Sequence, residues 1–362
     1  MSRIPITIHN NKEGKPDSII IKVRTYAGDA IRDQALKFPY QEQLIAKTVT
    51  DEMATREGQS PQGKQLCALW MVHDELELQV RPELDLFTLA KKWPKYLEKY
   101  THNIEAIDNP NSEYNTFIYI YKREAIISRN VERKCTDEAS VRLFYGEARQ
   151  NVLIGRYPCQ ADDVTTLAAL QMQTMYGDYD KSKHVIGFLS DSDSLNEFIP
   201  SYHYGSKDPE EWERLIFEKY QNYSGKSTFM ARMLYLQYTR QWAFYGSSFF
   251  PACKTSPPNG LFQQRTERWV IGVNDSGMHI IDLKNPKILF SQTFDRMKWQ
   301  WTSDTIVFDY NSQRTGKDHH LTIITPQAYL INSLACYSIK YEEKKNLLID
   351  MQREKTKKQD KK

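Results

Sequence analysis

His319 and His320 form the most tempting metal pair in this 362-residue chain. Adjacent residues of a strand point to opposite faces, so the two imidazoles cannot easily ligate one ion, and a structural or solvated role is expected. The run YSGKST (223–228) echoes a phosphate-binding loop. It precedes a helical pattern but lacks the upstream glycine and strand, so it is expected to cap a helix. Neither G-x-x-x-x-G-K-[ST] nor G-x-S-x-G occurs. SDSDS (190–194) has no closing glutamate to complete a calcium loop. The five cysteines, Cys67, Cys135, Cys159, Cys253 and Cys336, are scattered and never spaced C-x-x-C. That argues against a disulfide framework and against a cysteine zinc site. The expectation is a chain with no catalytic residues, no metal and no cofactor.

Binding chemistry is better represented. Lys298 and Gln300 alternate with Met297, Trp299 and Trp301, so one set can face a ligand while Trp299 and Trp301 are expected in the core. Lys22 and Arg24 share one face of another alternating stretch. KTKKQDKK (355–362) is basic and has no apolar residue. Near an anionic lipid surface it would gain about 1 kcal/mol per basic residue, which is weak without a second anchor. The formal net charge of +3 is too small to argue for a nucleic-acid partner.

These residues need elements to position them. With 40% hydrophobic and 26% charged residues the chain reads as globular. It has no apolar run of about 18 residues to span a membrane, no signal-peptide core at its start and no lipidation motif, so a cytoplasmic location is expected. Ile4, Ile6 and Ile8 alternate, a turn-rich stretch follows, and Ile19, Ile21 and Val23 alternate again, which predicts a hairpin. A helix is expected over roughly 30–47, a polar loop over 48–65, strands over 66–72 and 75–81, and an exposed or bridging strand over 115–123. The next part is helical. Thr136 or Asp137 can cap a helix with Val141, Phe144, Tyr145, Ala148 and Val152 on one stripe. Val164, Leu167, Ala168 and Met175 mark a second, Pro209 opens a third, and Ser227 opens a fourth with Met230, Met233 and Leu234 inside. The last part is strand-rich, with NDSG (274–277) as a turn. It closes with a helix after Thr325-Pro326, expected to run to about 355.

Four segments resemble the FERM family in the family's order: ALWMVHDELELQVRPEL with AKKWPKYL (68–84, 90–97), RLFYGEARQNVLIGRYPC (142–159), FYGSSFFPA (244–252), and GMHIIDLKNPKILFSQTF with KWQW (277–301). The resemblance covers about residues 3–345. It implies an α+β, three-lobed module. The lobes would be a ubiquitin-like roll with a connecting strand (1–125), an acyl-CoA-binding-protein-like helical bundle (126–245), and a pleckstrin-homology or phosphotyrosine-binding-like sheet with a C-terminal helix (246–350). A basic tail (351–362) follows. The resemblance also implies an adaptor at the inner face of the plasma membrane. Its third-lobe groove, between an edge strand over 297–305 and the closing helix, or the cleft between first and third lobes, would take the cytoplasmic tail of a membrane protein. Lys298, Gln300, Thr302, Leu330, Leu334 and Tyr337 are the expected groove residues. One branch of the family implies an inactive rhomboid as partner and a role in stabilising its sheddase complex. Another implies a Rap-type GTPase, met through Lys22 and Arg24. A membrane–cytoskeleton linker ranks lower.

Overall fold

The computed structural model describes residues 5–101, 109, 115–191, 194–255, 266–311 and 316–359. The N-terminal hairpin forms as expected: β1 (Ile6–Asn10) and β2 (Pro16–Ala27) pair with Ile6 opposite Ile21 and Ile8 opposite Ile19. Ile4 lies outside the described residues. The helix expected over 30–47 is instead a strand, β3 (Ala30–Pro39), paired along its whole length with β2. Gly28, at φ +70°, takes the left-handed turn that folds β3 back. Leu36 and Phe38 then alternate into the core. Helix-favouring residues such as Ala30, Gln34 and Lys37 masked that alternation; cross-strand pairing overrode their propensity.

The expected loop over 48–65 is largely helical. α1 (Ala46–Glu57) ends at Gly58 in the left-handed region, and the short α2 (Pro61–Lys64) is capped by Ser60, which accepts from the Gly63 N–H at 3.0 Å. β4 (Cys67–Val72), β5 (Glu77–Gln79), α3 (Leu86–Thr101) and β6 (Ile118–Arg123) complete the first lobe. β6 was expected to be exposed or bridging, but it lies in the middle of the sheet, parallel to β2 and antiparallel to β4. Tyr119 and Tyr121 are fully buried there. The resulting order, β3-β2-β6-β4-β5 with β1 added beside β2, is a ubiquitin-like roll with an extra strand.

A short α4 (Arg129–Arg133) leads into the helical lobe: α5 (Glu138–Leu153), α6 (Ala161–Tyr176), α7 (Pro209–Tyr220) and α8 (Thr228–Thr239). Of the two candidate caps Thr136 and Asp137, Asp137 caps α5, and Ser227 caps α8 as expected; they accept from the Ser140 and Met230 N–H groups. Gly146, in mid-α5, lets that helix close on β2: a Cβ there would stand 2.2 Å from the Tyr26 carbonyl oxygen. The stripe expected on α8 is displaced. Ala231, Tyr235 and Leu236 are buried, Met230 is exposed, and Met233 and Leu234 are half-buried.

The third lobe is a seven-stranded antiparallel sheet ordered β10-β9-β8-β7-β13-β12-β11. Its strands are β7 (Ser248–Thr255), β8 (Thr266–Val273), β9 (Gly277–Asp282), β10 (Lys287–Thr293), β11 (Met297–Trp301), β12 (Thr305–Asn311) and β13 (Asp318–Ile324). α9 (Ala328–Gln359) closes it, running past the expected end near 355, and buries Ala328, Ile331 and Ala335 against the sheet. Residues 360–362 of the basic tail lie outside the described residues.

The three lobes meet on a buried ionic joint. Glu132 of α4 accepts from Arg123 Nε of β6 at 2.6 Å, from Arg240 Nε at the end of α8 at 2.8 Å, and from the Tyr245 hydroxyl at 2.6 Å. Arg123 also donates to the Gly246 carbonyl at 3.0 Å. On the next residues of the same connector, Arg129 pairs with Asp275 of the β8–β9 turn at 3.2 Å. Glu77 of β5 adds a second knot, pairing with Lys122 at 2.5 Å and with Arg156 at 2.6 Å. Arg156 in turn sits over the Phe249 ring of β7 at 5.2 Å.

Candidate functional site

β11 ends the third-lobe sheet and, among the described residues, pairs only with β12. Its outer edge therefore offers backbone donors and acceptors to an added strand. The register decides which side chains look toward α9. Trp299 lies opposite Phe308 and Trp301 opposite Ile306, and both of those partners are fully buried beneath the helix. Trp299 and Trp301 share that face.

The core expectation holds only in part: Trp299 packs against the margin of the third-lobe core, and Trp301 lies outside it. Trp299 is half-buried and donates its indole N–H to Asn332 Oδ1 of α9 at 3.0 Å, which ties the strand to the helix. Trp301 is 42% exposed and packs edge-on against Tyr329 at 5.7 Å. The alternation reported a shared face correctly, but the strand is terminal, so the face runs out of core at its last residue. Trp299, Trp301, Tyr329 and Asn332 border the strand–helix groove.

The structure divides the six residues expected at the groove. Lys298 and Gln300 are exposed on the opposite sheet face, opposite Asp309 and Val307. They remain beside any strand added at the edge but away from the helix. Thr302 belongs to the turn after β11, its N–H donating to the Thr305 carbonyl at 2.9 Å. Leu330 and Leu334 sit on the other flank of α9. Leu334 packs against Ala68, Trp70 and Ala125 of the first-lobe side, and nearby Gln327 donates to the Glu75 carbonyl at 2.7 Å. They line the seam between first and third lobes. Tyr337 points outward at 56% exposure.

The Lys22–Arg24 pair shares a face as expected, but the two cations differ. Lys22 is exposed. Arg24 makes a two-pronged contact with Asp33 directly across on β3, at 2.7 and 2.8 Å, and holds that carboxyl below its ordinary range. β2 is flanked on both sides by strands, so it has no open edge. His319 and His320 do point apart: His319 stacks on Tyr310, while His320 meets Asp309 at 2.7 Å.

Two family models match consecutive parts of the chain, the FERM central domain over residues 130–250 and the KRIT1/FRMD8 FERM domain C-lobe over residues 267–334. FERM domain-containing protein B of Dictyostelium discoideum is 33% identical over 241 residues, covering 65% of this chain and 49% of that protein. Human FERM domain-containing protein 8 is 26% identical over 307 residues, covering 76% of this chain and 64% of that protein. The chain thus spans from about half to just under two-thirds of the length of these relatives. The human Myosin 7b MyTH4-FERM domain, solved in complex with a harmonin-a PDZ3 domain, superimposes with a TM-score of 0.61 at 18% identity, covering 91% of this chain and 61% of that one. No helix among the described residues is long and apolar enough to cross a membrane. With roll, bundle and closed sheet in this order, and family models matching the second and third of them, the chain belongs to the FERM-domain family.

Proposed function

We propose that this protein is a non-enzymatic adaptor that captures an extended peptide, the cytoplasmic tail of a membrane protein, along the open edge of β11. The observation that carries the reading is Trp301, a large aromatic 42% exposed at the end of a strand whose outer edge is open, beside Tyr329 of the closing helix. An edge strand supplies main-chain hydrogen bonds, and the flanking rings supply anchors. Aromatic residues at such positions commonly dominate binding energy. Capture needs no chemistry: a partner that binds only the assembled fold shifts the equilibrium by mass action.

The similarity to FERM domain-containing protein 8 supports a finer reading, in which the tail belongs to an inactive rhomboid and binding stabilises its sheddase complex at the inner face of the plasma membrane. The alternatives are a Rap-type GTPase effector and a membrane–cytoskeleton linker. A paired pull-down separates the first two. The purified chain is offered the cytoplasmic N-terminal region of an inactive rhomboid, and separately a Rap-type GTPase in each nucleotide state. Rhomboid binding that Trp301→Ala abolishes supports the groove reading. GTP-dependent binding lost on Lys22→Glu, with Trp301→Ala silent, replaces it.

A further inference from the structure

Beside the groove, a first-lobe helix carries a concentrated positive charge. α3 buries Leu86, Leu89, Trp93, Leu97 and Tyr100 on one stripe. Its opposite face carries Lys91, Lys92, Lys95 and Lys99, all exposed. At 100° per residue these four fall within roughly 100° of one another on the helix surface. None of them is ion-paired among the described residues, and Glu98 at the margin of the sector is the one acid that shares it. A lysine stripe alone is usually a solvated helix face. Here it is anchored to the groove: Lys99 Nζ lies 5.6 Å from the centre of the Tyr329 ring and 5.0 Å from that of Tyr100. The cation of a first-lobe helix thus stands on the same ring that packs against Trp301 of the third lobe.

We infer that the first lobe sets the specificity of the third-lobe groove, and that the peptide taken there is acidic at the end lying beside Trp301. This rests on the groove reading above and names the chemistry of its ligand. β11 runs from Met297 toward Trp301. A strand added antiparallel, the commoner pairing, therefore enters with its N-terminal end near Trp301, Tyr329 and Lys99. Lys91 to Lys99 spans about 12 Å of helix, the length of about four extended residues. The ligand carries aspartate or glutamate within the four or so residues N-terminal to its strand-forming segment. Complementary charge of this kind selects partners and speeds encounter more than it adds raw affinity.

The test is selection of random 12-residue peptides displayed on phage against the whole chain. Peptides are kept whose binding is lost on Trp301→Ala, and their synthetic copies are measured at low and high salt. The expected result is an acidic N-terminal half, about tenfold weaker binding to Lys91→Glu/Lys95→Glu/Lys99→Glu, and a salt dependence that this variant loses. Lys91→Gln/Lys95→Gln leaves the Lys99 contacts in place and guards against a folding defect; about threefold weakening is expected. Trp301-dependent peptides with no acidic bias, or with affinity unchanged in both lysine variants, overturn the inference and leave the groove reading standing. Unbiased peptides together with lysine-dependent binding to phosphatidylserine vesicles assign the stripe to a membrane and also overturn it. If no Trp301-dependent peptide is selected, the groove reading fails and the inference falls with it.

Discussion

Around Glu132, two arginines and a tyrosine are sealed from water; beside Trp301, a lysine and the Tyr329 ring stand in it. Both regions draw on cations and aromatic side chains from more than one lobe. At the joint the carboxylate meets three donors. A buried charge of this kind is tolerable because it is fully paired, and each partner becomes costly once the others are removed. At the groove Lys99 has rings beneath it but no counter-ion among the described residues. Burial, not residue type, separates a structural joint from a surface able to take a ligand.

The largest effect expected from breaking this contrast is at the joint. Glu132→Ala leaves Arg123 and Arg240 buried without their carboxylate, a change that costs about 3–5 kcal/mol in comparable cases. Urea unfolding of the variant should show a loss of that order. A loss under 1 kcal/mol would mean that water reaches the arginines and that the joint is not sealed.

Acid sharpens the same contrast. His279 of β9 is buried, with Nδ1 2.8 Å from the Ser291 hydroxyl, and burial together with the nearby Arg129 charge pushes its pKa down to about 3. The unfolded imidazole titrates near 6.5. The neutral ring's contribution is therefore intact above pH 6.5 and is lost as pH falls from there toward 3, at up to about 1.4 kcal/mol per pH unit. Glu77 has the same sign in a lower window. Arg156 and Lys122 overcome its desolvation and hold its pKa at about 2, so its contribution fades between pH 4.5 and 2. His279→Gln should flatten the pH dependence of stability between pH 6.5 and 4.5, while Glu77→Gln should lower stability at neutral pH, leaving Lys122 and Arg156 without their carboxylate, and flatten the pH dependence only below pH 4.5. Equal slopes in wild type and His279→Gln would show that the imidazole binds its proton equally well in the folded and unfolded chain, so that burial does not depress it.

At the groove the readout changes from stability to binding. Trp301→Ala removes an exposed ring, so unfolding free energy should move by less than about 1 kcal/mol. Affinity for a groove peptide should fall at least tenfold, in the range of an interface aromatic worth about 2 kcal/mol. Calorimetry on the two proteins checks both halves. A large stability loss with unchanged binding would turn Trp301 back into a packing residue.

Most of the module was legible in the sequence where one local rule sufficed. The caps at Asp137 and Ser227 and the hairpin at NDSG each depend on a few neighbouring residues. The errors arose where a partner distant in sequence decides. β3 reads as helix until β2 is known to pair with it, and β6 looks peripheral until β2 and β4 are placed on either side of it. On α8 the spacing points to Met230, Met233 and Leu234 as the inner stripe, whereas Ala231, Tyr235 and Leu236 are the ones buried in the bundle. The site was legible only in part. Sequence located the strand and the helix, but it divided their residues wrongly, because which face is buried depends on β12 and on the first lobe. The Glu132 joint left no local signal at all, its partners lying 9, 108 and 113 residues away.

The smallest effects belong to the face read as a GTPase contact, and they decide how that reading is tested. Lys22 is exposed on an interior strand, so Lys22→Glu should change stability by no more than about 0.5 kcal/mol. Arg24 differs because Asp33 lies directly opposite it. Arg24→Glu places two carboxylates across from each other, an unfavourable cross-strand pair, while the native half-exposed pair is worth about 0.2–1 kcal/mol. Reversing both cations together would therefore mix a folding effect with a binding effect. Arg24→Asp/Asp33→Arg exchanges the two charges and should recover most of the stability lost in Arg24→Asp, as a double-mutant cycle by urea unfolding would record. If the exchanged protein regains stability and GTP-dependent Rap binding is unchanged, Arg24 is a sheet residue, and any GTPase contact on this face reduces to Lys22.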